Sequence, residues 1–62
     1  MKFREFIKMY NNADQIVIVS DEEYSELAYD TIYMILGTRA DLFEKEVVSF
    51  GFYRNMLAVT VK

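Results

Sequence analysis

The residues best equipped for chemistry in this 62-residue chain are carboxylates. Asp21, Glu22 and Glu23 are consecutive, and Glu26 and Asp30 follow closely. Two carboxylates held together can act as general acid and base, and several can hold a hard cation such as Mg²⁺. Either task needs a concave site that keeps water out, and a core this small can scarcely enclose one. The chain has no His and no Cys. That removes the commonest general base, the commonest metal ligand and any thiolate nucleophile. No Gly-rich phosphate loop and no zinc-ligand spacing occurs. The expectation is a protein that is not an enzyme, with no catalytic residue, no metal site and no cofactor.

The same acids suit recognition better. Between Lys8 and Arg39 there is no basic residue, while Asp14, Asp21, Glu22, Glu23, Glu26 and Asp30 give that interval a charge of −6. The remaining residues sum to +3. Solvated faces usually mix signs, whereas a one-signed surface suits docking on a basic groove in competition with nucleic-acid phosphates. A plain solvated turn, or the start of a helix, would explain the acids equally simply. Tyr24 and Tyr29 lie among them, and Tyr brings contact area at low entropic cost; both would also be ordinary core residues. Asp21, Glu22, Glu23, Glu26, Asp30, Tyr24 and Tyr29 are the candidate partner-binding residues. The expected partner is a protein with a basic surface, a nucleic-acid-binding enzyme being the sharpest case. Direct binding of nucleic acid is disfavoured, because Lys2, Arg4 and Lys8 form only a small basic stripe in an acidic chain.

These residues must be carried by elements that the hydrophobic pattern defines. Phe3, Phe6, Ile7 and Tyr10 recur at the spacing of one helix face, with Lys2, Arg4, Glu5 and Lys8 opposite and Asn11-Asn12 as a stop. Gln15 to Val19 is a β-branched run without polar alternation, the mark of a central strand covered on both faces. Ser20 to Leu36 admits two readings. Ser20 and Glu23 have capping-box spacing and Gly37 sits where a helix would end, which gives one long helix. Alternatively Ser20–Glu23 is a hairpin turn, Glu23–Tyr29 a strand, and Asp30 the cap of a short helix over Thr31–Leu36. Thr38 to Lys45 is a connection with one helical turn around Ala40–Glu44.

The last segment, EVVSFGFYRNMLAVTVK, predicts a hairpin about Arg54-Asn55. Tyr53 then faces Met56, and the pairs Phe52–Leu57, Phe50–Val59 and Val48–Val61 make one apolar layer. That layer is expected to be core.

With 53% hydrophobic residues, no Pro and two Gly, the chain is not a disordered segment. No apolar run approaches the ~18 residues of a membrane span, and the start MKFREF lacks a signal-peptide apolar region. A cytoplasmic protein without membrane contact is expected. Domains of this size bury only about 60% of their unfolded surface. With disulfides excluded, the remedies left are an unusually apolar core or self-association, and the composition supports both.

The order KFREFIKMY, DQIVIV, SDEE and EVVSFGFYRNMLAVTVK resembles small proteins encoded by phages and integrative elements of Gram-positive bacteria. The resemblance implies a compact α+β domain with an antiparallel sheet and no known chemistry, and it favours the hairpin reading of Ser20–Leu36. In size and charge alone, the chain also looks like anti-CRISPR inhibitors.

The sequence thus predicts a single α+β domain over residues 1–62, an N-terminal helix on a three- or four-stranded, mostly antiparallel sheet. Its expected core is Phe3, Phe6, Ile7, Ile16, Ile18, Val48, Phe50, Phe52, Leu57, Val59 and Val61. The leading functional expectation is a protein-binding module acting through the acidic interval. The alternative is a self-associating structural protein whose oligomer completes the core.

Overall fold

A computed structural model describes residues 1–10 and 12–62. The chain is α+β: α1 (Phe3–Ile7), β1 (Ile16–Ser20), β2 (Glu26–Thr31), α2 (Ile32–Thr38), a 3₁₀ turn (Ala40–Leu42), β3 (Val47–Tyr53) and β4 (Met56–Val61). The four strands form one sheet in the order β2-β1-β4-β3. The two hairpins, β1–β2 and β3–β4, are antiparallel, and they join through a parallel β1–β4 pairing at the centre. No helix is long and apolar enough to cross a membrane among the described residues.

Both helices and the 3₁₀ turn supply side chains to one core, formed by Phe3, Phe6, Ile7, Ile32, Ile35 and Leu42 over Val17, Val19, Ala28, Leu57, Val59 and Val61. Eleven of these residues sit in strands or helices whose alternation or 3.6-residue spacing turns one face inward. Among the described residues, the opposite face of the sheet carries no helix. Along it Tyr29, Ile18, Ala58 and Gly51 stand side by side across all four strands. Tyr29 lies over that face, its hydroxyl donating to the Met56 sulfur at 3.2 Å.

This corrects the expected strand covering. β1 is central, but its inward residues are Val17 and Val19, not Ile16 and Ile18, which are only half-buried on the open face. A run of four β-branched residues carries no alternation, so its phase is set by tertiary pairing alone. The hairpin expected for Ser20–Glu23 is present, with β2 starting and ending later than expected. Thr31, not Asp30, caps the helix that follows: its hydroxyl accepts the Met34 N–H at 3.2 Å. α1 ends at Ile7, with Lys8 as its C-cap; of the expected Asn11-Asn12 stop, Asn11 lies outside the described residues.

The C-terminal turn forms as expected, with Arg54 (φ 49°) and Asn55 (φ 66°) both left-handed, the type I′ geometry of tight hairpins. Tyr53–Met56, Phe52–Leu57 and Phe50–Val59 pair in the expected register. A bulge between Val47 and Ser49 then shifts it, so that Val47, not Val48, faces Val61. Val48, Phe50 and Phe52 are therefore not core. β3 is an edge strand, and all its residues beyond Val47 are exposed.

Candidate functional site

The five acids and two tyrosines singled out in the sequence sit at the β1–β2 hairpin and along β2, the opposite edge of the sheet from β3. They do not converge. The Asp21 carboxylate is spent on the turn, its Oδ1 accepting the backbone N–H of Glu23 (2.9 Å) and Ser25 (3.0 Å). Asp30 Oδ1 accepts the Thr31 N–H at 2.8 Å. Glu22, Glu23 and Glu26 are exposed. Tyr24 projects from the turn, 86% exposed, with φ 65°, a conformation that is a true outlier for a bulky residue. Tyr29 turns instead onto the open sheet face.

The β2 edge therefore presents acids along an exposed strand. Charged side chains of this kind protect an edge from pairing with other chains. Among the described residues no acid from Asp14 to Asp30 takes part in an ion pair; the four ion pairs are Met1–Glu46, Lys2–Glu44, Arg4–Glu44 and Arg39–Asp41. In the last, the guanidinium grips both carboxylate oxygens, at 3.1 and 3.0 Å, and also donates to the Leu27 carbonyl. That hydrogen bonding holds the Asp41 carboxyl below its ordinary range. Hydrogen bonding to the N-terminal ammonium does the same for Glu46.

The β3 edge is built differently. Val47–Tyr53 contains no charged residue, and Phe50, Phe52 and Tyr53 are each at least 60% exposed, with Val48 also open. The N-terminal segment closes only its beginning: Val47 N–H donates to the Met1 carbonyl at 2.8 Å, and Lys2 bridges Glu46. Phe50 rests against the buried Phe6 with ring centroids 4.7 Å apart, and Phe52 lies 6.3 Å from Tyr10. These contacts hold the rings on the helix-bearing side of the sheet. Arg54 sits over the Tyr53 ring on the other side, 5.4 Å from its centroid.

The backbone of this edge is also available. A two-residue turn closes on Tyr53–Met56 as a hydrogen-bonded pair, and such pairs alternate along the ladder. Tyr53, Gly51 and Ser49 therefore turn their N–H and C=O groups to β4, while Phe52 and Phe50 turn theirs outward. Sequence reasoning missed this surface because it placed both phenylalanines in the core. No signal in β3 itself could have revealed it, because a strand without Lys, Glu or Pro reads as a covered one.

A shallow depression of about 550 Å³ is lined by Tyr33, Met34, Leu36, Gly37 and Thr38. All five are neighbours on α2 and its end, so the depression is the flank of one helix and not a cleft between elements. It gathers no carboxylate. The chain matches no family model, no curated protein and no solved structure.

Proposed function

We propose that this chain is a non-enzymatic protein-binding module whose working surface is the β3 edge. The observation that carries the reading is the contrast between the two edges of one sheet. β2 carries Glu26 and Asp30 and follows the acidic turn Asp21–Glu23, whereas β3 has no acid and exposes Val48, Phe50, Phe52 and Tyr53 beside outward-facing backbone groups. Strand addition to such an edge uses main-chain hydrogen bonds for affinity and alternate side chains for selectivity. The shallow relief of the surface supports a binding role over catalysis, since the acids share no enclosed pocket.

A second reading is favoured by the acids that pair with no base. The strip from Glu22 to Asp30, with the exposed Tyr24, would dock on a basic protein surface and compete there with nucleic acid. Its sharpest form is an inhibitor, carried by a phage or mobile element, of a nucleic-acid-binding enzyme.

One experiment separates the two. The tagged chain is incubated with bacterial lysate at low and high salt, beside F52P and a variant neutralised at Asp21, Glu22, Glu23, Glu26 and Asp30. Retained proteins are identified by mass spectrometry and tested again in purified form. A protein lost only with F52P places binding at β3. One lost with the neutralised variant, and at high salt, places it at the acids. Retention unaffected by either change ends both readings.

A further inference from the structure

Resting on β3 as the binding edge, we propose that its occupant is a second copy of this chain, paired antiparallel across a two-fold axis at Gly51. Gly51 is what points there. It lies mid-strand, its φ is not positive, and a Cβ built on it would meet nothing within 4 Å. Nothing within the chain calls for a glycine at this position. A side chain there would strengthen the strand, and a strand glycine marks a bulge, a bend, or close approach by a ligand or another backbone. The β3 bulge lies at Val47–Ser49, short of Gly51, which leaves close approach at an edge with outward-facing backbone groups.

The axis at Gly51 is the one the open edge permits. Antiparallel neighbours must share a face, so the two-fold passes through a residue, in the open stretch Phe50, Gly51 or Phe52. An axis at Phe52 would set the left-handed turn residue Arg54 opposite Phe50, where no ladder can continue. An axis at Phe50 would set Tyr53 opposite Val47, whose N–H is already bonded to Met1. An axis at Gly51 pairs residues 49 to 53 of each copy and stops short of that cover. Phe50 of one copy then faces Phe52 of the other through their outward N–H and C=O groups, making four backbone hydrogen bonds in all. Gly51 meets Gly51 in the narrow non-hydrogen-bonded pair between them, about 4.5 Å apart at Cα.

Side chains agree with that register. The four phenylalanines join the Phe6 and Tyr10 rings on the helix-bearing side, extending one aromatic cluster across both copies. Tyr53 stands opposite Ser49 on the other face, beside the glycines, where aromatic rings cover exposed edge glycines. The strand itself brings no like charges together. Val48, Phe50, Phe52 and Tyr53 offer on the order of 400 Å² of accessible side-chain surface per copy. With backbone added, two copies approach the lower end of stable interfaces, near 1,200 Å².

Sedimentation velocity on the full chain, from low micromolar to about 1 mM, tests this beside four variants. The outward N–H of Phe52 makes F52P compatible with the β4 ladder while removing an intermolecular donor; circular dichroism checks its fold. It is expected to weaken the dimer at least about 100-fold. Because the chain has no Cys, G51C, S49C and F50C are clean probes of register under mild oxidation. G51C is expected to give a disulfide-linked dimer, since Cα atoms at the axis lie within disulfide reach. S49C would not link, because its copies stand four residues apart along the strands.

A wild type that stays at 7.4 kDa throughout overturns the second copy, while F52P-sensitive capture of another protein would still uphold the edge. A dimer linked through F50C and not G51C overturns the axis. A dimer indifferent to F52P and unlinked by G51C lies on another surface, which overturns the second copy and counts against the edge itself.

Discussion

Phe6 and Phe50 meet in a tilted pair, ring centroids 4.7 Å apart and planes inclined at 52°, although Phe6 is almost wholly buried and Phe50 is 60% exposed. The pair marks the seam between core and open edge. Truncating each should separate the two environments. Phe6→Ala should cost about 3–5 kcal/mol through a core cavity. Phe50→Ala should cost only about 1 kcal/mol, chiefly the lost ring pair. Urea denaturation of both variants at a concentration where the chain is monomeric measures the difference. Equal costs would mean that Phe50 belongs to the core.

The two faces of β1 make a second comparison. Val19 is fully buried, while its neighbour Ile18 is half-buried on the uncovered face. Val19→Ala should therefore cost about 2 kcal/mol, and Ile18→Ala less, although more carbon is removed. Denaturation midpoints with unchanged m-values check this ordering; a reversed order would place the core on the other face.

Tyr24 is left-handed and projects into solvent. Asn adopts that conformation more readily. Tyr24→Asn should raise stability by about 0.5–1 kcal/mol, seen as a higher urea midpoint. A loss of stability would show that the ring supports the turn.

Acid should weaken the link between Arg39 and Asp41. Hydrogen bonding to the guanidinium lowers the native carboxyl below its ordinary value of 3.8. Its contribution is complete above that value and disappears as pH falls through the lower native one. Thermal midpoints of the wild type should therefore fall toward those of Asp41→Asn on going from about pH 5 to about pH 2. Both groups are exposed, so added salt should shrink the gap. A constant gap at all pH values would exclude this linkage.

The fold was legible wherever local chemistry left one solution. Arg54-Asn55 fixed the hairpin register from Phe50 to Val59, because a two-residue turn admits little else. Phe3, Phe6 and Ile7 declared their face through helical spacing. Phase and position in the sheet were harder. Ile16-Val-Ile-Val19 has no alternation, so only the pairing with β2 and β4 decides which residues point inward. Val48 moved out through the bulge, and Phe50 and Phe52 through β3 being an edge, which depends on β1 inserting beside β4. For the same reason the acids were identifiable as a group, while their spread along β2, and the use of Asp21 and Asp30 in local hydrogen bonds, were not.

The parallel pairing of β1 with β4 has a consequence for how the chain comes to be folded at all. Val17 meets Leu57 and Ser20 meets Thr60, so the middle of the sheet joins two strands separated along the chain by all of β2, α2 and β3. The β1–β2 hairpin can form early, yet it has nothing to insert against until β4 has left the ribosome. Closing so long a loop is the slow step for a topology rich in distant contacts. Until then the apolar faces of both hairpins stay open to water, and binding to nascent-chain chaperones would fall in this interval.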